Sequence, residues 1–554
     1  MWPPGTVRLE EKGIHVGQDV ILQPRPTDDP NDPLNWPAWR KYLNLGLVCF
    51  WVAMVAEFIN APTPTWGPMN EELGFSYKVL NDSYAAGCAA LGLGSVLLIP
   101  FALKFGRRPL YLLSTLVQFA VSVWSAKMQT VVDLMLINVL QCFFASLAES
   151  IVQMTIADVF FVHQRGRMNT LYVWVWLFAT YLGPLIAGFV AKGQGWRWVW
   201  WWNVIIFGVS IFAVAFGYEE TKYIPLSVTS GPSEADNREI ESAPGAGDEK
   251  ANSFPKKPVE DIGTAEFAAS PAVESAAVIT VGTAVTINRN IPQKTYWQRL
   301  ALFTTTPSSR SSHDSFLRHI YQPLILLTTI PAIAYAALVY GILVGLGDVM
   351  STTMSTFLPE APYNFSSDQV GLMHLPRMIG VTIGALITGP LSDWWIVYIS
   401  RRRDGVYDPE VRLWCVVPFL PFIPAGALLF GIGLNNQLAW PVIAVGLALY
   451  NVGVTPVNSL IITYLTDSYK EIIGDALVGV TLVRNSFSTA FIFALTPWID
   501  RIGVKYVLVT ILLIACAFLS LFGVFIRFGK AFRERTSSRY QFYARRQYKE
   551  RSSI

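Results

Sequence analysis

Apolar stretches of about 20 residues recur along the chain and alternate with shorter polar segments. A helix needs about 20 apolar residues to cross the hydrocarbon core of a bilayer, which is roughly 30 Å thick. The pattern therefore predicts two sets of six membrane-spanning helices. The first set covers about 42–62, 80–102, 109–127, 132–156, 169–191 and 196–218. The second set covers about 322–346, 369–392, 413–434, 438–462, 472–495 and 503–527.

The polar segments divide the chain into five parts. These are an N-terminal tail (1–41), a six-helix bundle (42–218), a linker (219–318), a second six-helix bundle (319–527) and a basic C-terminal tail (528–554). The centre of the linker, 230–293, is rich in Ser, Pro, Ala, Glu and Asp and has no amphipathic period. We therefore expect the linker to be largely disordered. Its last part, 295–319, mixes Trp297, Leu300 and Phe303 with basic residues and is expected to lie along the membrane surface.

The composition excludes a water-soluble globule. Hydrophobic residues make up 52% of the chain and charged residues 15%, whereas a soluble protein carries about 25% charge. All five cysteines fall inside apolar runs and no histidine spacing fits zinc, so we expect no disulfide, metal or cofactor. The sequence has no Walker-type phosphate loop, which argues against a motor with its own nucleotide site. The predicted spans contain no pairing of a nucleophile with a base, so we do not expect an enzyme.

Basic residues mark one side of the predicted membrane protein. They follow the second, fourth and eighth helices, at 104–108, Arg165 and 401–403, and they fill the C-terminal tail. Twelve alternating helices place these segments together, and the positive-inside rule makes that side cytoplasmic. We therefore expect both termini and the linker in the cytoplasm, most simply at the plasma membrane. The first 40 residues contain no apolar signal-peptide region. The sequon at Asn364 falls on the outer side and is a glycosylation candidate.

Several short motifs lie within the predicted helices or next to their ends. They are Asp32-Pro-Leu-Asn-Trp36, Lys104-Phe-Gly106-Arg107-Arg108, Asp158-Val-Phe-Phe-Val-His163 with Arg165, Gly183-Pro184 with Gly188, Gly389-Pro-Leu-Ser-Asp393 with Arg401-Arg402-Arg403, and Tyr464-Leu-Thr-Asp-Ser-Tyr469. The ordered set resembles the major facilitator superfamily, and more narrowly the fungal drug:proton antiporters with twelve helices. The resemblance extends over nearly all of the chain except the linker. It implies an all-α polytopic fold of two six-helix bundles related by pseudo-two-fold symmetry, which work by alternating access.

The basic turn after the second helix suggests a gate. Gly106 allows the chain to reverse tightly, and Arg107 and Arg108 are then placed to pair with acids on neighbouring helix ends. Asp158 is the candidate partner, although the arginines would equally serve as topology signals alone. The family pattern has an acid three residues before the glycine, where this chain has Leu103. The gating candidates are Lys104, Gly106, Arg107, Arg108, Asp158, Arg165, Gly183, Pro184, Gly188, Asp393, Arg401 and Arg402.

The Gly183-Pro184 motif has two interpretations. Small residues let helices approach closely, and proline bends a helix, so the resemblance implies a hinge that favours export. Ordinary helix packing explains the same residues.

Ionisable residues inside the apolar runs are the strongest candidates for function, because charge is costly there. Glu149 stands in an otherwise uncharged run from Leu134 to Ile156 and is predicted to face the bundle interior. A carboxyl in that position can carry a proton, bind a cationic substrate, or serve structurally through hydrogen bonds. Asp82 and Asp348 lie nearer the outer ends of their helices. The candidates for substrate or proton binding are Glu57, Asn60, Glu149, Tyr335, Tyr340, Asn451 and Arg484.

The resemblance implies proton-coupled efflux of a small organic molecule, such as a drug, toxin or metabolite. Proton-coupled uptake of a cationic nutrient such as a polyamine is an alternative, which Glu57 and Glu149 would suit. An alternative of another class is a receptor that does not transport and recruits partners through its linker. We expect a small-molecule substrate, protons and the lipid bilayer as partners, no nucleic acid, and a monomer.

Overall fold

Helices make up nearly all of the part of the chain that the structure describes. The computed structural model describes residues 4, 6–8, 27–223, 291–304, 318–402 and 406–544. Residues 230–290 of the predicted disordered centre of the linker lie outside these ranges, as do the end of the C-terminal tail and Arg403. The side chains of Arg165, Asp393 and Arg401 also lie outside the described part.

The first half of the chain forms the helices of the first bundle. They are α1 (Ala38–Asn60), α2 (Trp66–Leu73), α3 (Tyr77–Phe105), α4 (Arg108–Ala126), α5 (Val131–Ala145), α6 (Leu147–Val159), α7 (Val162–Gln194) and α8 (Trp196–Gly217), with 3-10 turns at Pro33–Asn35 and Thr63–Thr65. Local chemistry starts several of them. At α5, the Thr130 hydroxyl accepts from the Asp133 amide (3.1 Å) and the Asp133 carboxylate accepts from the Thr130 amide (3.0 Å). This reciprocal capping satisfies amides that a helix start leaves free.

The second half is built in the same way. After the short α9 (Tyr296–Arg299) come α10 (Arg318–Thr329), α11 (Pro331–Phe357), α12 (Ser367–Leu372), α13 (Leu375–Arg402), α14 (Val411–Trp414), α15 (Phe422–Asn435), α16 (Trp440–Ser468), α17 (Ile473–Ile502), α18 (Val504–Ser520) and α19 (Phe522–Ala544), with 3-10 turns at Val417–Phe419 and Lys470–Ile472. Twelve helical segments of the described chain are long and apolar enough to cross a membrane. The predicted all-α, twelve-span fold is confirmed.

The start of the seventh span differs from the sequence prediction. An apolar stretch at 322–346 predicted one helix there, but the chain breaks at Ile330, which is extended (φ −115°, ψ 104°). Proline at the next position, Pro331, has no amide hydrogen and favours the first turn of a new helix. The span therefore runs from Pro331 to Phe357, and α10 forms a separate amphipathic helix before it.

Each half of the chain has its own buried core. The first core includes Trp51, Phe58, Tyr111 and Phe207, and the second includes Met350, Phe430, Tyr464 and Ile511, all at most 1% exposed. Smaller apolar clusters join the halves along α3 and α17, where Ala85 and Cys88 meet Ile492, and Val96 and Ile99 meet Val478. Two separate cores with a thin apolar seam between them are the arrangement that lets two units rock against each other.

Successive spans run in opposite directions, so the loops between them lie at two opposite ends of the fold. We call the end that carries α1's first residues and α19's last residues the termini face, and the other end the opposite face. At the termini face, strand β1 (Val7–Arg8) pairs antiparallel with strand β2 (Val406–Tyr407). Arg533 donates to both oxygens of Glu410 (2.8 and 2.7 Å) and to the Thr6 hydroxyl (3.1 Å). The N-terminal residues described here are thus held on the second half of the chain.

Both described ends of the linker lie against the first half. The Tyr223 hydroxyl donates to Asp29 (3.0 Å), and Asn31, which bonds the other Asp29 oxygen (2.9 Å), contacts the Pro292 carbonyl (3.1 Å) and the Lys294 amide (2.8 Å). Burial raises the pKa of Tyr223 to about 12, so the hydroxyl stays protonated at neutral pH. The linker therefore leaves and returns at neighbouring points on one bundle.

The segment expected at the membrane surface is exposed in part. Trp297 and Phe303 are 71% and 59% exposed, whereas Leu300 is buried at 9%. The segment is fixed to the first bundle, because the Thr304 amide donates to the Phe105 carbonyl (3.0 Å).

We predict that residues 235–285 can be deleted with transport retained. The two anchored ends already lie close together, and halving a loop changes its closure entropy by only about 0.6 kcal/mol. The measurement is transport by the deletion variant, normalised to protein in the membrane, beside a variant with the same residues replaced by an equally long Gly/Ser segment. Loss of folding in both variants would mean that the segment itself is structural.

Candidate functional site

A buried ion pair joins the two halves of the chain. Glu149 on α6 accepts from the guanidinium of Arg484 on α17, and the two residues are 9% and 8% exposed. The same guanidinium donates to the Asn485 side chain (3.0 Å) and lies 5.8 Å from the ring centre of Tyr340. Glu149, Arg484 and Tyr340, which the sequence predicted as site residues, therefore come together between the bundles.

A second acid, Asp348 on α11, contacts α17 one helical turn beyond Arg484. The Ser488 hydroxyl donates to Asp348 on α11 (2.6 Å). Asp348 is within electrostatic reach of both Arg484 and Arg377. Acidic and basic groups thus alternate along the seam between the bundles, in the order Glu149, Arg484, Asp348 and Arg377.

Arg377 and Tyr181 make the next contact across the seam. The guanidinium of Arg377, on α13, lies 4.6 Å from the ring centre of Tyr181 on α7. It donates to the Ser351 hydroxyl and to the Gly347 carbonyl (3.1 Å). The Tyr181 hydroxyl donates to Asn451 on α16 (2.9 Å), so one tyrosine of the first half holds two elements of the second.

A cavity opens beside these residues. It is small, about 30 Å³, and is lined from both halves of the chain by Asn60, Thr63, Tyr84, Thr180, Tyr181, Pro184, Asp348, Ser351, His374 and Arg377. His374 and Arg377 are 2% and 3% exposed. Both ring nitrogens of His374 and the Nε atom of Arg377 lack a hydrogen-bond partner among the residues that the structure describes. Buried polar groups are normally paired, so these atoms point to a missing partner.

Glu57 lies within the first bundle, where α1 meets α7 and α8. Its Oε1 atom is 3.5 Å from the Asn203 amide nitrogen, and its buried Oε2 atom has no hydrogen-bond partner within the described part of the chain. Gly183 makes this contact possible, because a Cβ added there would lie 2.8 Å from the Glu57 Cα. The glycine of the antiporter-like motif therefore packs directly on an intramembrane carboxyl.

The two halves also meet at the opposite face. A Cβ added to Gly188 on α7 would lie 2.5 Å from the Ser367 carbonyl oxygen and 3.1 Å from the Gly371 Cα. Beyond this contact, Lys192 pairs with Asp368 (2.8 Å). Side chains larger than hydrogen would separate the helices here, so Gly188 allows the close approach at this end of the seam.

At the termini face, the predicted partner of Arg107 is present. The Nε atom of Arg107 lies 3.2 Å from Asp158 at the end of α6. Arg108 instead donates to the Ala215 carbonyl (2.6 Å). Arg107 is 1% exposed, so its charge lies inside the protein and needs this compensation.

Glu220, which follows the last span of the first half, binds the basic turn at Gly106. Glu220 accepts from the backbone amides of Arg107 (3.1 Å) and Arg108 (3.0 Å). Gly106 has φ +107°, and a Cβ there would lie 2.4 Å from Glu220 Oε2, so only glycine fits. Lys222 donates to the carbonyls of Leu103 (2.6 Å) and Lys104 (2.9 Å). Glu220 thus supplies a carboxylate to a turn in which Leu103 replaces the usual acid.

Other predicted residues lie apart from the seam. Tyr335 is 3% exposed and stacks on Phe525, with 4.3 Å between ring centres, inside the core of the second half. Lys104 and Arg402 lie over the rings of Phe105 (5.4 Å) and Tyr398 (4.5 Å) at the termini face. Asn364 is exposed at the opposite face. In the described ranges, no group of three or more His, Cys, Asp or Glu side chains is arranged to hold a metal ion.

Comparison with known proteins identifies the family. The family model described as Major Facilitator Superfamily matches residues 46–490. The chain belongs to the major facilitator superfamily. An uncharacterised MFS-type transporter of Schizosaccharomyces pombe is 30% identical, with 97% of this chain and 94% of the relative covered. Protein HOL1 of Saccharomyces cerevisiae is 29% identical (90% and 87%), and the probable efflux pump mfs2 of Aspergillus flavus is 25% identical (86% and 99%).

Solved structures agree on the fold of this major facilitator. The proton:xylose symporter XylE, bound to 6-bromo-6-deoxy-D-glucose, matches with a TM-score of 0.54 over 89% of this chain and 97% of its own. The sequence identity of 12% limits this likeness to the fold. As a member of the superfamily, the protein is a secondary transporter that carries small molecules across a membrane.

Several residues at the seam and at the basic turn of this major facilitator were not predicted from the sequence. Arg377 and His374 lie within or beside the predicted span 369–392, so an intramembrane charge was visible there. Tyr181 carries no such signal, because its role depends on which face of α7 meets the second half. Glu220 follows the sixth span in sequence, and only the fold brings it back to the turn after the second.

We predict that the contact between Arg107 and Asp158 supports transport. Arg107→Gln and Asp158→Asn should each lower the transport rate about tenfold at normal abundance, and the double variant should be no worse than either one, because both remove one interaction. Initial rates normalised to surface protein provide the measurement. Arg527→Gln, which removes an exposed basic residue at the same face, is the control. Normal transport by Arg107→Gln would leave the arginine as a topology signal only.

Proposed function

We propose that this protein exports small organic cations in exchange for protons. The two bundles, 42–218 and 319–527, would rock against each other about the polar seam, with a single chain as the working unit. Both termini would lie in the cytoplasm, and the membrane would be the plasma membrane. The substrates would be organic cations, protons would be the driving ion, and the direction would be export.

The excess of acid at the centre supports a cationic substrate. Three carboxyls (Glu57, Glu149 and Asp348) lie in and beside the seam with two guanidinium groups (Arg377 and Arg484), an excess of one negative charge when all five are ionised. A negative site inside a membrane protein is stabilised by a cation or by a proton. This excess is the observation that carries the proposal.

Competition between a proton and a cationic substrate for one carboxyl would couple transport to protons. A proton on Glu149 removes its charge and weakens its attraction to Arg484, which loosens the tie between the halves. Asp348 lines the cavity between the bundles, so it is the group on which a proton and an ammonium would exclude each other. Exclusive binding of two cations at one site is the physical basis of exchange.

Export is supported by relatives and by helix packing. One relative is named a probable efflux pump, and the Gly183-Pro184 motif of the drug:proton antiporters packs here on Glu57. Uptake of a cationic nutrient such as a polyamine remains the second candidate, because the same carboxyls would bind it in either direction.

The direction can be tested in cells that express the protein or an empty vector. With export, the expressing cells should hold less rhodamine 6G, a fluorescent organic cation, and the difference should grow when the external pH is lowered from 7.5 to 5.5. Spermidine is measured in parallel. Greater spermidine accumulation in the expressing cells would favour uptake, and no change in either compound would contradict the transport of cations.

We predict that Glu149→Gln uncouples transport from protons. Glutamine keeps the size and the hydrogen bonding of the side chain but carries no titratable proton, so the variant should reach the membrane and lose its dependence on external pH. Its transport rate should fall at least tenfold when the pH gradient drives export. The assay is rhodamine 6G content at the two pH values, normalised to surface protein. Normal rates with unchanged pH dependence would exclude Glu149 as the coupling group.

A matched variant distinguishes the two carboxyls. Asp348→Asn should weaken the binding of cations, since Asp348 is proposed as the shared site. Loss of cation binding in Asp348→Asn, beside retained binding in Glu149→Gln, is the expected pattern.

A further inference from the structure

We propose that the cavity between the bundles selects amines that also carry a hydrogen-bond-accepting oxygen, either a hydroxyl or a carboxylate. The inference rests on the proposed function for the transport of an organic cation. It deepens that function by naming a second chemical group that the substrate would carry.

One wall of the cavity presents unsatisfied donors. The Arg377 guanidinium donates from its two terminal nitrogens to Ser351 and to the Gly347 carbonyl, but no described residue is hydrogen-bonded to its Nε atom. Arg377 and His374 are 3% and 2% exposed, and in the described ranges neither ring nitrogen of His374 is hydrogen-bonded. A guanidinium only donates, and an imidazole donates from at least one nitrogen. This wall is therefore suited to an oxygen acceptor.

The other polar group of the cavity is suited to an amine. The Asp348 carboxylate accepts a hydrogen bond at its Oδ2 atom from the Ser488 hydroxyl (2.6 Å). The rings of Tyr84 and Tyr181 also line the cavity. An ammonium group interacts favourably with a carboxylate and with the faces of aromatic rings. The cavity thus offers an anionic, aromatic place for the amine beside a cationic place for oxygen.

Charge also determines what the cavity rejects. Asp348 and Arg377 carry opposite charges within electrostatic reach of each other. A ligand with an ammonium at both ends would place its second charge against the guanidinium of Arg377, where like charges repel. A simple monoamine would leave the buried donors unpaired, which also weakens binding. An amino alcohol or an amino acid meets both requirements.

Four compounds with a four-carbon chain test the inference: butylamine, 4-aminobutan-1-ol, 4-aminobutanoate and 1,4-diaminobutane. Binding is measured by calorimetric titration of the full-length protein in lipid nanodiscs. We expect 4-aminobutan-1-ol or 4-aminobutanoate to bind about tenfold more tightly than butylamine, as one added hydrogen bond to a charged group predicts. The diamine should bind no more tightly than butylamine. The order of the two oxygen compounds shows whether the acceptor is neutral or anionic.

Substitutions test which side of the cavity recognises the oxygen and which side recognises the amine. Arg377→Gln should erase the difference between butylamine and the oxygen compounds, whereas Asp348→Asn should weaken the binding of every amine. His374→Leu provides a second test of the donor wall, which applies if Arg377→Gln fails to fold. Arg527→Gln, outside the cavity, is the control.

A ranking with the diamine first, equal affinities within the set, or no binding by any of the four overturns the inference. Failure of the proposed function gives a different result. If cells show no transport of cations while the nanodisc ranking holds, only the proposed function falls. If cations are transported and the ranking is wrong, only this inference falls.

Discussion

The ion pair between Glu149 and Arg484 constrains the rest of the site. Both side chains are buried where the halves of the chain meet. Removing one partner from a buried pair leaves a charge that nothing compensates, at a typical cost of about 3–5 kcal/mol. The α6 and α17 helices therefore keep these side chains opposed as long as both are charged. In the proposed exchange, a proton on Glu149 would relax this requirement and so connect the charge of one carboxyl to the positions of the two bundles.

The surrounding structure is arranged around this pair. Asp348 and Arg377 repeat the pattern of an acid beside a base farther along the seam, and Tyr181 spans the seam to hold Arg377 and Asn451. Glycines allow the helices to come close enough for such short side-chain contacts. The two large cores lie on either side of the seam, so the proposed movement at the seam would leave the packing within each bundle in place.

The sequence predicted the parts of the fold that depend on one helix at a time. Twelve spans follow from the length of apolar runs, and the inward position of Glu149 follows from its lack of charged neighbours. The break at Ile330 lies inside an apolar run, where hydropathy has no signal and only Pro331 indicates it. The contact of Arg107 with Asp158 was predicted because both end a helix on the same side. Partners that come from distant segments, such as Arg484 for Glu149 and Glu220 for the turn at Gly106, depend on which helix faces converge.

A double-mutant cycle on the ion pair tests the account most directly. The measurement is the thermal unfolding midpoint of purified Glu149→Gln, Arg484→Gln and the double variant. The account predicts that each single substitution lowers the midpoint more than the double substitution does, because each leaves one buried charge unpaired. Additive effects in the double variant would contradict it, since they would mean that Glu149 and Arg484 stabilise the protein independently.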